Sequence, residues 1–218
     1  MKKAVVLLSG GLDSATTLYI ARKRGYSCFC LIFDYGQRHR KEITSARALA
    51  KRTSSRYEII KLRVPEEASA LTSRRIPIPQ KRSLKTIGKN IPPTYVPARN
   101  IVFLGIALSY AESLGAKKIF IGANALDFSG YPDCRPRFFS AFSKAARTGT
   151  KAGKSIRIET PLLNKTKSSI IRAGTRLGVP YNLTWSCYRG KRKPCGTCDS
   201  CLLREKGFAG AGMKDPLL

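Results

Sequence analysis

The first twenty residues constrain the fold most strongly. Residues 4–8 are apolar without alternation, and they end abruptly in the sequence Ser-Gly-Gly-Leu-Asp-Ser at residues 9–14. An apolar run of this kind is typical of a parallel strand that is buried on both faces. A helical pattern follows, and Gly25 closes it. The chain is therefore predicted to begin with a strand, a glycine turn and a helix.

The same alternation continues along the chain. Strands are predicted over residues 27–36, 57–64, 117–123 and 155–162, and helices over residues 39–53, 99–116, 137–149 and 167–178. In the helix over 99–116, the spacing of Ile101, Leu104, Leu108 and Ala111 predicts one buried face. Alternating strands and helices indicate an α/β fold, with a doubly wound, mostly parallel, Rossmann-like sheet and helices on both faces.

Residues 65–97 break this rhythm. They contain several prolines and many basic residues. A connection of this length inside a compact domain is usually functional or else disordered, and both alternatives stay open here.

The length suits one domain with a small appendage. A catalytic domain is expected over residues 1–180, and a C-terminal metal-binding region over residues 181–218. The apolar run after the initial Met-Lys-Lys ends after five residues, which is too short for a secretory signal. The sequence offers no run of roughly 18 apolar residues for a membrane span. We expect a cytoplasmic protein with no membrane partner.

The charge balance is strongly basic, with 41 Lys and Arg against 13 Asp and Glu, a formal net charge of +28. Such a field attracts RNA and nucleotides. It could also reflect the composition of the source proteome or a salt-rich cytosol. The basic residues are spread along the whole chain, whereas a nucleic-acid footprint gathers on one face. We therefore expect no specific nucleic-acid partner.

Four of the seven cysteines fall within fifteen residues, at Cys187, Cys195, Cys198 and Cys201. Two Cys-x-x-Cys spacings and a complete set of four thiols favour one closed, structural Zn²⁺ site. A redox role and an iron–sulfur cluster are the competing interpretations. Cys28 and Cys30 lie in a predicted strand and are expected to fill the core.

The glycine turn at residues 9–14 is predicted to bind phosphate. Free amides at a helix start and the helix dipole favour an anion, and the serine hydroxyls can add donors. Asp13 would cap the helix or hold Mg²⁺. The turn fits neither the Walker pattern nor the dinucleotide fingerprint, and an ordinary capped turn stays an alternative. The residues expected to bind ATP are Leu8, Ser9, Gly10, Gly11, Leu12, Asp13, Ser14, Thr16, Arg99 and Lys167.

Polar residues follow two other predicted strands. Since ligands of open parallel sheets bind beyond the carboxyl ends of the strands, these loops should share a crevice with the glycine turn. Carboxylates, Arg and an aromatic face suit a purine-like substrate, although a solvated turn would have a similar composition. The residues expected to bind substrate are Tyr35, Gln37, Asn124, Asp127, Tyr131, Asp133 and Arg135. His39, the only histidine, is not assigned as a general base.

Several stretches together resemble the 7-cyano-7-deazaguanine synthase family, QueC, within the N-type ATP pyrophosphatase (PP-loop) superfamily. They are SGGLDS, YGQRH, TYVPARN, GANALDFSGYPDCRP, TPLLNKTKSSII, TWSCYRG, PCGTCDSC and KDP. The resemblance implies an ATP-dependent ligase that turns 7-carboxy-7-deazaguanine and ammonia into the 7-cyano compound through an adenylated intermediate, for queuosine and archaeosine in tRNA. It also implies Mg²⁺ with the ATP, and a homodimer. One departure is Arg137, where the family pattern has Glu.

Two other functions remain as alternatives. One is an RNA-acting PP-loop enzyme such as a tRNA thiolase, which the positive charge and the basic segment 65–97 would suit. The other is a zinc-stabilised RNA-binding module, which would leave the glycine turn unexplained. Turnover of ATP with a free deazaguanine and no RNA would distinguish all three.

Overall fold

The computed structural model describes residues 2–126 and 130–218. Its described part contains one five-stranded sheet in the order β3-β2-β1-β4-β5, and all four strand pairs are parallel. The strands are β1 (Lys2–Leu7), β2 (Tyr26–Asp34), β3 (Arg56–Lys61), β4 (Lys118–Ile121) and β5 (Arg157–Glu159). The predicted doubly wound α/β fold is confirmed.

Six α-helices connect and cover these strands. They are α1 (Leu12–Lys23), α2 (Lys41–Arg52), α3 (Arg99–Leu114), α4 (Pro136–Gly149), α5 (Lys167–Arg176) and α6 (Asp199–Gly210). Gly25 and Gly178 follow α1 and α5 with φ of +81° and +74°, the left-handed conformation that lets a helix end. Among the described residues, no helix combines the length and the apolar character that a membrane crossing requires.

The two faces of the sheet form two separate cores. In β1, Val6 contributes to the core under α1, α2, α5 and α6, and Val5 contributes to the core under α3 and α4. Cys28 and Cys30 are buried in the first of these cores, as predicted. Because successive side chains of a strand point to opposite faces, a strand that is covered on both sides must be apolar throughout.

The helix α3 differs from its prediction at one position. Leu104, Leu108 and Ala111 are buried against the sheet, but Ile101 is 47% exposed. Ile101 lies about 90° around the helix from the centre of the buried face, which is formed by Asn100, Phe103, Leu104, Ala107, Leu108 and Ala111. The prediction of a buried Ile101 is therefore wrong.

Residues 65–97 form a packed connection rather than a disordered one. They contain a short 3₁₀ helix at Glu66–Ala68 and little other regular structure. Gln80 forms a β-bridge with Cys198, and Arg82 donates to the buried Asp199 at 2.9 Å. The segment therefore holds the cysteine-rich region in place.

The strand order creates a switch point between β1 and β4. From β1 the chain continues through β2 and β3 to one side, and β4 and β5 extend the sheet on the other side. The loops that leave β1 and β4 therefore diverge to opposite faces, and a crevice opens between them at the carboxyl ends of the strands.

Candidate active site

A cavity of about 230 Å³ lies at this switch point. Its walls come from the carboxyl ends of β1, β2 and β4, the first turns of α1, α2 and α3, and the loop at residues 185–188. The glycine turn and the loop after β4 therefore share one crevice, as the sequence predicts.

The glycine turn at residues 9–14, named the phosphate loop after its predicted role, forms one end of the cavity. The Ser9 hydroxyl donates to the Ser14 hydroxyl at 3.0 Å, and the Ser14 hydroxyl lies 3.1 Å from the Gly11 carbonyl. No side chain caps α1, since its N-cap residue is Gly11. The loop thus presents backbone amides at a helix start together with two hydroxyl groups, an arrangement suited to an anion.

Two glycines let the phosphate loop pack closely against its neighbours. Gly10 has φ of +85°, and a Cβ there would lie 2.2 Å from the Glu42 carbonyl oxygen. A Cβ on Gly122, which directly follows β4, would lie 2.9 Å from the backbone nitrogen of Ser14. The loop conformation therefore depends on the absence of side chains at both positions.

Asp13 and Lys167 form an ion pair at the edge of the phosphate loop. The Lys167 ammonium donates to the two carboxylate oxygens of Asp13 at 2.9 and 2.7 Å. Asp13 lies in the first turn of α1 and pairs with this lysine rather than capping the helix. The pair places a cation beside the loop amides, where it can meet a phosphate.

Arg99 and Tyr35 form the opposite wall. The Arg99 guanidinium donates to the Tyr35 hydroxyl at 3.4 Å, and burial raises the pKa of that hydroxyl to about 12. Gln37 accepts from the Tyr35 amide and donates to the Phe33 carbonyl, so its side chain braces the turn after β2. All three predicted residues line the cavity.

Asn124 and Tyr131 also line the cavity. Asn124 follows β4 and donates to the carbonyl oxygens of Leu162 and Lys165. The Tyr131 hydroxyl lies 3.0 Å from that of Thr94. Both side chains are buried, so the cavity wall is fixed before any ligand binds.

Three predicted site residues lie elsewhere. Thr16 is buried, and its hydroxyl donates to the Leu12 carbonyl and lies 3.0 Å from the Tyr181 hydroxyl. Asp133 accepts from the backbone amide of Asn100 and so stabilises the start of α3. Arg135 is exposed and precedes α4. None of the three lines the cavity. Predicted Gly10 is not a lining residue either, since it packs against the backbone of α2. Predicted Asp127 lies outside the described residues.

The departure at Arg137 falls on the surface. Arg137 is exposed in the first turn of α4 and does not line the cavity. This position is that of a surface residue rather than of one that orders a substrate.

Several cavity residues were not predicted as site residues. They include Glu42, Gly122, Trp185, Ser186, Tyr188 and Arg204. The Trp185 amide donates to the Gly10 carbonyl at 2.9 Å, so the C-terminal region contacts the phosphate loop directly. A glycine directly after a buried strand was the available signal for Gly122. Glu42 had no signal beyond its place in the first turn of a helix.

Arg204 fixes the C-terminal region beside the cavity. Its guanidinium donates to both carboxylate oxygens of Asp215, at 2.7 and 2.9 Å, and both side chains are buried. It also donates to the Thr184 hydroxyl and the Tyr181 carbonyl. The last residues of the chain are thereby tied to the loop that leads to Trp185.

The four predicted cysteines converge on one point. Their sulfur atoms all lie within 4.8 Å of one another, and those of Cys195 and Cys201 are 3.9 Å apart. Tetrahedral ligation at about 2.3 Å per Zn–S bond would separate the sulfurs by roughly 3.8 Å. The backbone amides of Cys195 and Cys198 donate to the sulfurs of Cys187 and Cys195. The donor set therefore fits a tetrahedral metal ion.

The thiols of this cluster cannot all ionise without a cation. Hydrogen bonds from Cys198 and Cys201 lower the pKa of Cys187 well below its usual value. The hydrogen bond to Cys187 in turn raises the pKa of Cys198 to about 12. One thiolate thus forms at the expense of its neighbours, and a bound metal ion would remove this conflict.

Comparisons with known proteins agree with this geometry. The family model described as "Queuosine biosynthesis protein QueC" matches residues 3–212. A 7-cyano-7-deazaguanine synthase of Thermoplasma acidophilum is 53% identical over 99% of this chain and 91% of its own length. One of Nostoc punctiforme is 50% identical over 99% of both chains.

Two solved structures share the fold. The NMN synthetase of Francisella tularensis has a TM-score of 0.50 and 19% identity, covering 87% of this chain and 68% of its own. The U34-tRNA thiolase NcsA of Methanococcus maripaludis, solved with its [4Fe-4S] cluster, has a TM-score of 0.52 and 16% identity, covering 83% and 58%. At these identities the likeness extends to the fold alone.

The parallel sheet, the phosphate loop at its switch point and the synthase relatives together define an enzyme of the PP-loop class. Within that class, the match over residues 3–212 and the identities of 50% and above place the chain in the QueC family.

Proposed function

We propose that this protein makes 7-cyano-7-deazaguanine from 7-carboxy-7-deazaguanine and ammonia, with ATP as the activating substrate, in queuosine or archaeosine biosynthesis. One observation supports the proposal above others. The phosphate loop forms one end of a cavity of about 230 Å³ at the switch point of a QueC-family fold. A carboxylate bound in the cavity would therefore face the α-phosphate of an ATP held by the loop.

The chemistry suits the parts of the cavity. A carboxylate is a poor electrophile, so ATP converts it to an acyl adenylate with loss of pyrophosphate. Ammonia then displaces AMP and gives the amide, and a second adenylation on the amide oxygen permits dehydration to the nitrile. The loop amides and Lys167 would stabilise the charge that develops on pyrophosphate. Mg²⁺ bound to ATP would spread this charge further. Asp13 is the carboxylate of the loop that would contact this ion.

Structural Zn²⁺ is the metal proposed for the four-cysteine cluster. Four thiolates leave no open coordination position, which is typical of structural zinc. The cluster is set apart from the cavity, since none of the four cysteines lines it. Bound Zn²⁺ would supply folding energy to the C-terminal region. An iron–sulfur cluster is the alternative, and visible absorbance with metal analysis of purified protein would distinguish the two.

The remaining partners follow from the same proposal. The chain is proposed to act on a free small molecule, with no specific nucleic acid, and to form a homodimer in the cytoplasm. A tRNA thiolase is not favoured, because the curated relatives at about half identity are named as 7-cyano-7-deazaguanine synthases.

The decisive experiment is an assay without RNA. The purified protein is incubated with ATP, Mg²⁺, an ammonium salt and 7-carboxy-7-deazaguanine, and the nitrile is identified by mass. With γ-labelled ATP, the label should appear in pyrophosphate, and the nucleotide product should be AMP. Label in free phosphate beside ADP, with pyrophosphatase excluded, would contradict the adenylation chemistry. Turnover only in the presence of tRNA would contradict the substrate.

A further inference from the structure

The proposed reaction removes every hydrogen from the nitrogen it incorporates. Ammonia brings three N–H bonds, and the nitrile nitrogen has none. One proton leaves when nitrogen attacks the acyl adenylate and AMP departs. The other two leave when the adenylated amide loses AMP and the C≡N bond forms. The first step differs, since an ionised carboxylate attacks ATP without losing a proton. The later steps therefore need a proton acceptor in the cavity.

Two carboxylates line the described part of the cavity, and they differ in their partners. Both oxygens of Asp13 accept from Lys167 at 2.9 and 2.7 Å, so a proton taken up by Asp13 would remove the charge that holds this ion pair. The side-chain oxygens of Glu42, in the first turn of α2, accept no hydrogen bond from any described residue. The nitrogen within 4.0 Å of them is Nε2 of His39, and burial lowers the pKa of that imidazole, which favours its neutral form. We infer that Glu42 is the catalytic base that takes protons from the substrate nitrogen during amide and nitrile formation.

The surroundings of Glu42 suit this role. Arg99 from α3 and Tyr35 from the turn after β2 face it, His39 precedes it, and Cys187 approaches from the C-terminal region. Burial raises the pKa of the Glu42 carboxyl to about 7, against the lowering effect of Arg99. Such a group exchanges protons readily near neutral pH. Its side chain is 21% exposed, so each proton can pass on to solvent before the next step.

Other titratable groups of the cavity are poor acceptors. Burial raises the pKa of both Tyr35 and Cys134 to about 12, so both are protonated at neutral pH and cannot accept. Arg99 and Lys167 are cations. His39 is not among the lining residues. Glu42 is thus the lining group that combines an open carboxylate with access to the cavity.

The test separates the steps that need a base from the step that does not. This inference rests on the proposed function, so wild-type protein is assayed first for pyrophosphate exchange into ATP, with 7-carboxy-7-deazaguanine and no ammonium. Glu42→Gln should keep this exchange within about 3-fold of wild type, because adenylation removes no proton. Its nitrile formation, and its dehydration of the amide supplied directly, should fall about 10²- to 10⁴-fold.

Two variants and a pH series complete the design. Glu42→Asp keeps a carboxylate and should recover part of the lost rate. Asp34→Asn removes a carboxylate at the end of β2 that is bound to Arg40 and does not line the cavity, so it should leave both rates unchanged. With free ammonia held constant, the wild-type rate should rise with pH through about 7, and Glu42→Gln should lose this rise.

The outcomes are distinguishable. Nitrile formation by Glu42→Gln within about 3-fold of wild type would overturn the inference. An equal loss of exchange and nitrile formation would also overturn it, since Glu42 would then act in adenylation or in folding. If wild-type protein shows no exchange with this substrate, the proposed function fails, and the role of Glu42 fails with it.

Discussion

Glu42 and Asp13 are two carboxylates in one cavity. Their different partners predict that ionisation of each has a different effect on the stability of the fold. Asp13 is neutralised by Lys167, whereas burial raises the pKa of Glu42 to about 7 from its ordinary 4.5. The folded state therefore holds the Glu42 proton more tightly than the unfolded state does. The stability that this proton contributes is complete below pH about 4.5 and is lost as the pH rises through 7.

The variant Glu42→Gln should therefore gain stability mainly at high pH. A raised pKa of this size corresponds to a cost on the order of 3 kcal/mol once the carboxyl has ionised. We expect the variant to unfold at higher urea concentration than wild type at pH 8, and with a much smaller difference at pH 5. Urea titrations at both pH values measure this. A difference that is the same at both would show that Glu42 is not held in a desolvated site.

The close packing at Gly122 allows a steric test of the phosphate loop. A Cβ at this position would meet backbone atoms of Asp13 and Ser14 at 2.9 Å, and these can move only if the loop moves. Gly122→Ala should raise the KM for ATP about 10-fold and destabilise the fold by about 1–3 kcal/mol. Gly105→Ala is the matched control, since nothing lies within 4 Å of its added Cβ. Exchange kinetics and urea unfolding of both variants test this, and equal effects would contradict it.

Individual site residues were predictable from short local motifs and from their places at the carboxyl ends of strands. The four cysteines and the phosphate loop are short motifs whose spacing alone indicates their contacts. Glu42 and Gly122 matter because of residues distant in sequence, which no single window reveals. Asp133 shows the converse, because a loop carboxylate was expected at the substrate, and in the structure it accepts from the start of α3.

At the scale of elements, the sequence pattern predicted all five strands and the helices α1 to α5, but it missed α6, whose residues follow directly on the cysteine motif. The strands were predictable because burial on both faces leaves unbroken apolar runs. The prediction for Ile101 was wrong because the apolar spacing does not show where the buried face of α3 is centred, and that centre lies about 90° around the helix from Ile101. The contacts between residues 65–97 and the cysteine region follow no sequence pattern, because they join residues that are distant in the sequence, such as Arg82 and Asp199.

The contacts of the C-terminal region predict that metal binding at the four cysteines affects the phosphate loop. Trp185 lies two residues before Cys187, and its amide donates to Gly10. The Lys41 ammonium lies 3.8 Å from the centre of the Trp185 ring and donates to the carbonyl oxygens of Lys191 and Arg192. Loss of the metal would release residues 185–192 from their contacts with Gly10 and Lys41.

Cys198→Ser should therefore lower zinc content, stability and ATP affinity together. Small zinc sites supply folding energy on the order of 10 kcal/mol, so the C-terminal region should become the first part to unfold. Cys28→Ser is the control, since Cys28 is buried in the core and lies outside the cluster. Elemental analysis, thermal melting and the KM for ATP are the measurements. Full activity in metal-free wild-type protein would refute a structural role for the ion.

The net charge of +28 is a property of the whole molecule. Basic residues occur on every segment of the chain, including residues 65–97, whose arginines partly serve internal contacts. Within this segment, Arg82 donates to Asp199 and Arg75 donates to Glu67, and Arg38 from outside it donates to the Ala70 and Ile76 carbonyls. A field of this kind attracts polyanions without selecting among them.

Binding to RNA should accordingly be weak, unselective and sensitive to salt. Each phosphate neutralised by Lys or Arg releases counterions, so affinity should fall steeply between roughly 50 and 200 mM salt. We expect tRNA and an unrelated RNA of equal length to bind alike in a filter assay, and neither to bind at about 200 mM. Neither RNA should change pyrophosphate exchange with the free deazaguanine. A tRNA complex could instead persist at this salt concentration and exclude the unrelated RNA. This result would require a specific recognition surface and would favour the RNA-acting alternative.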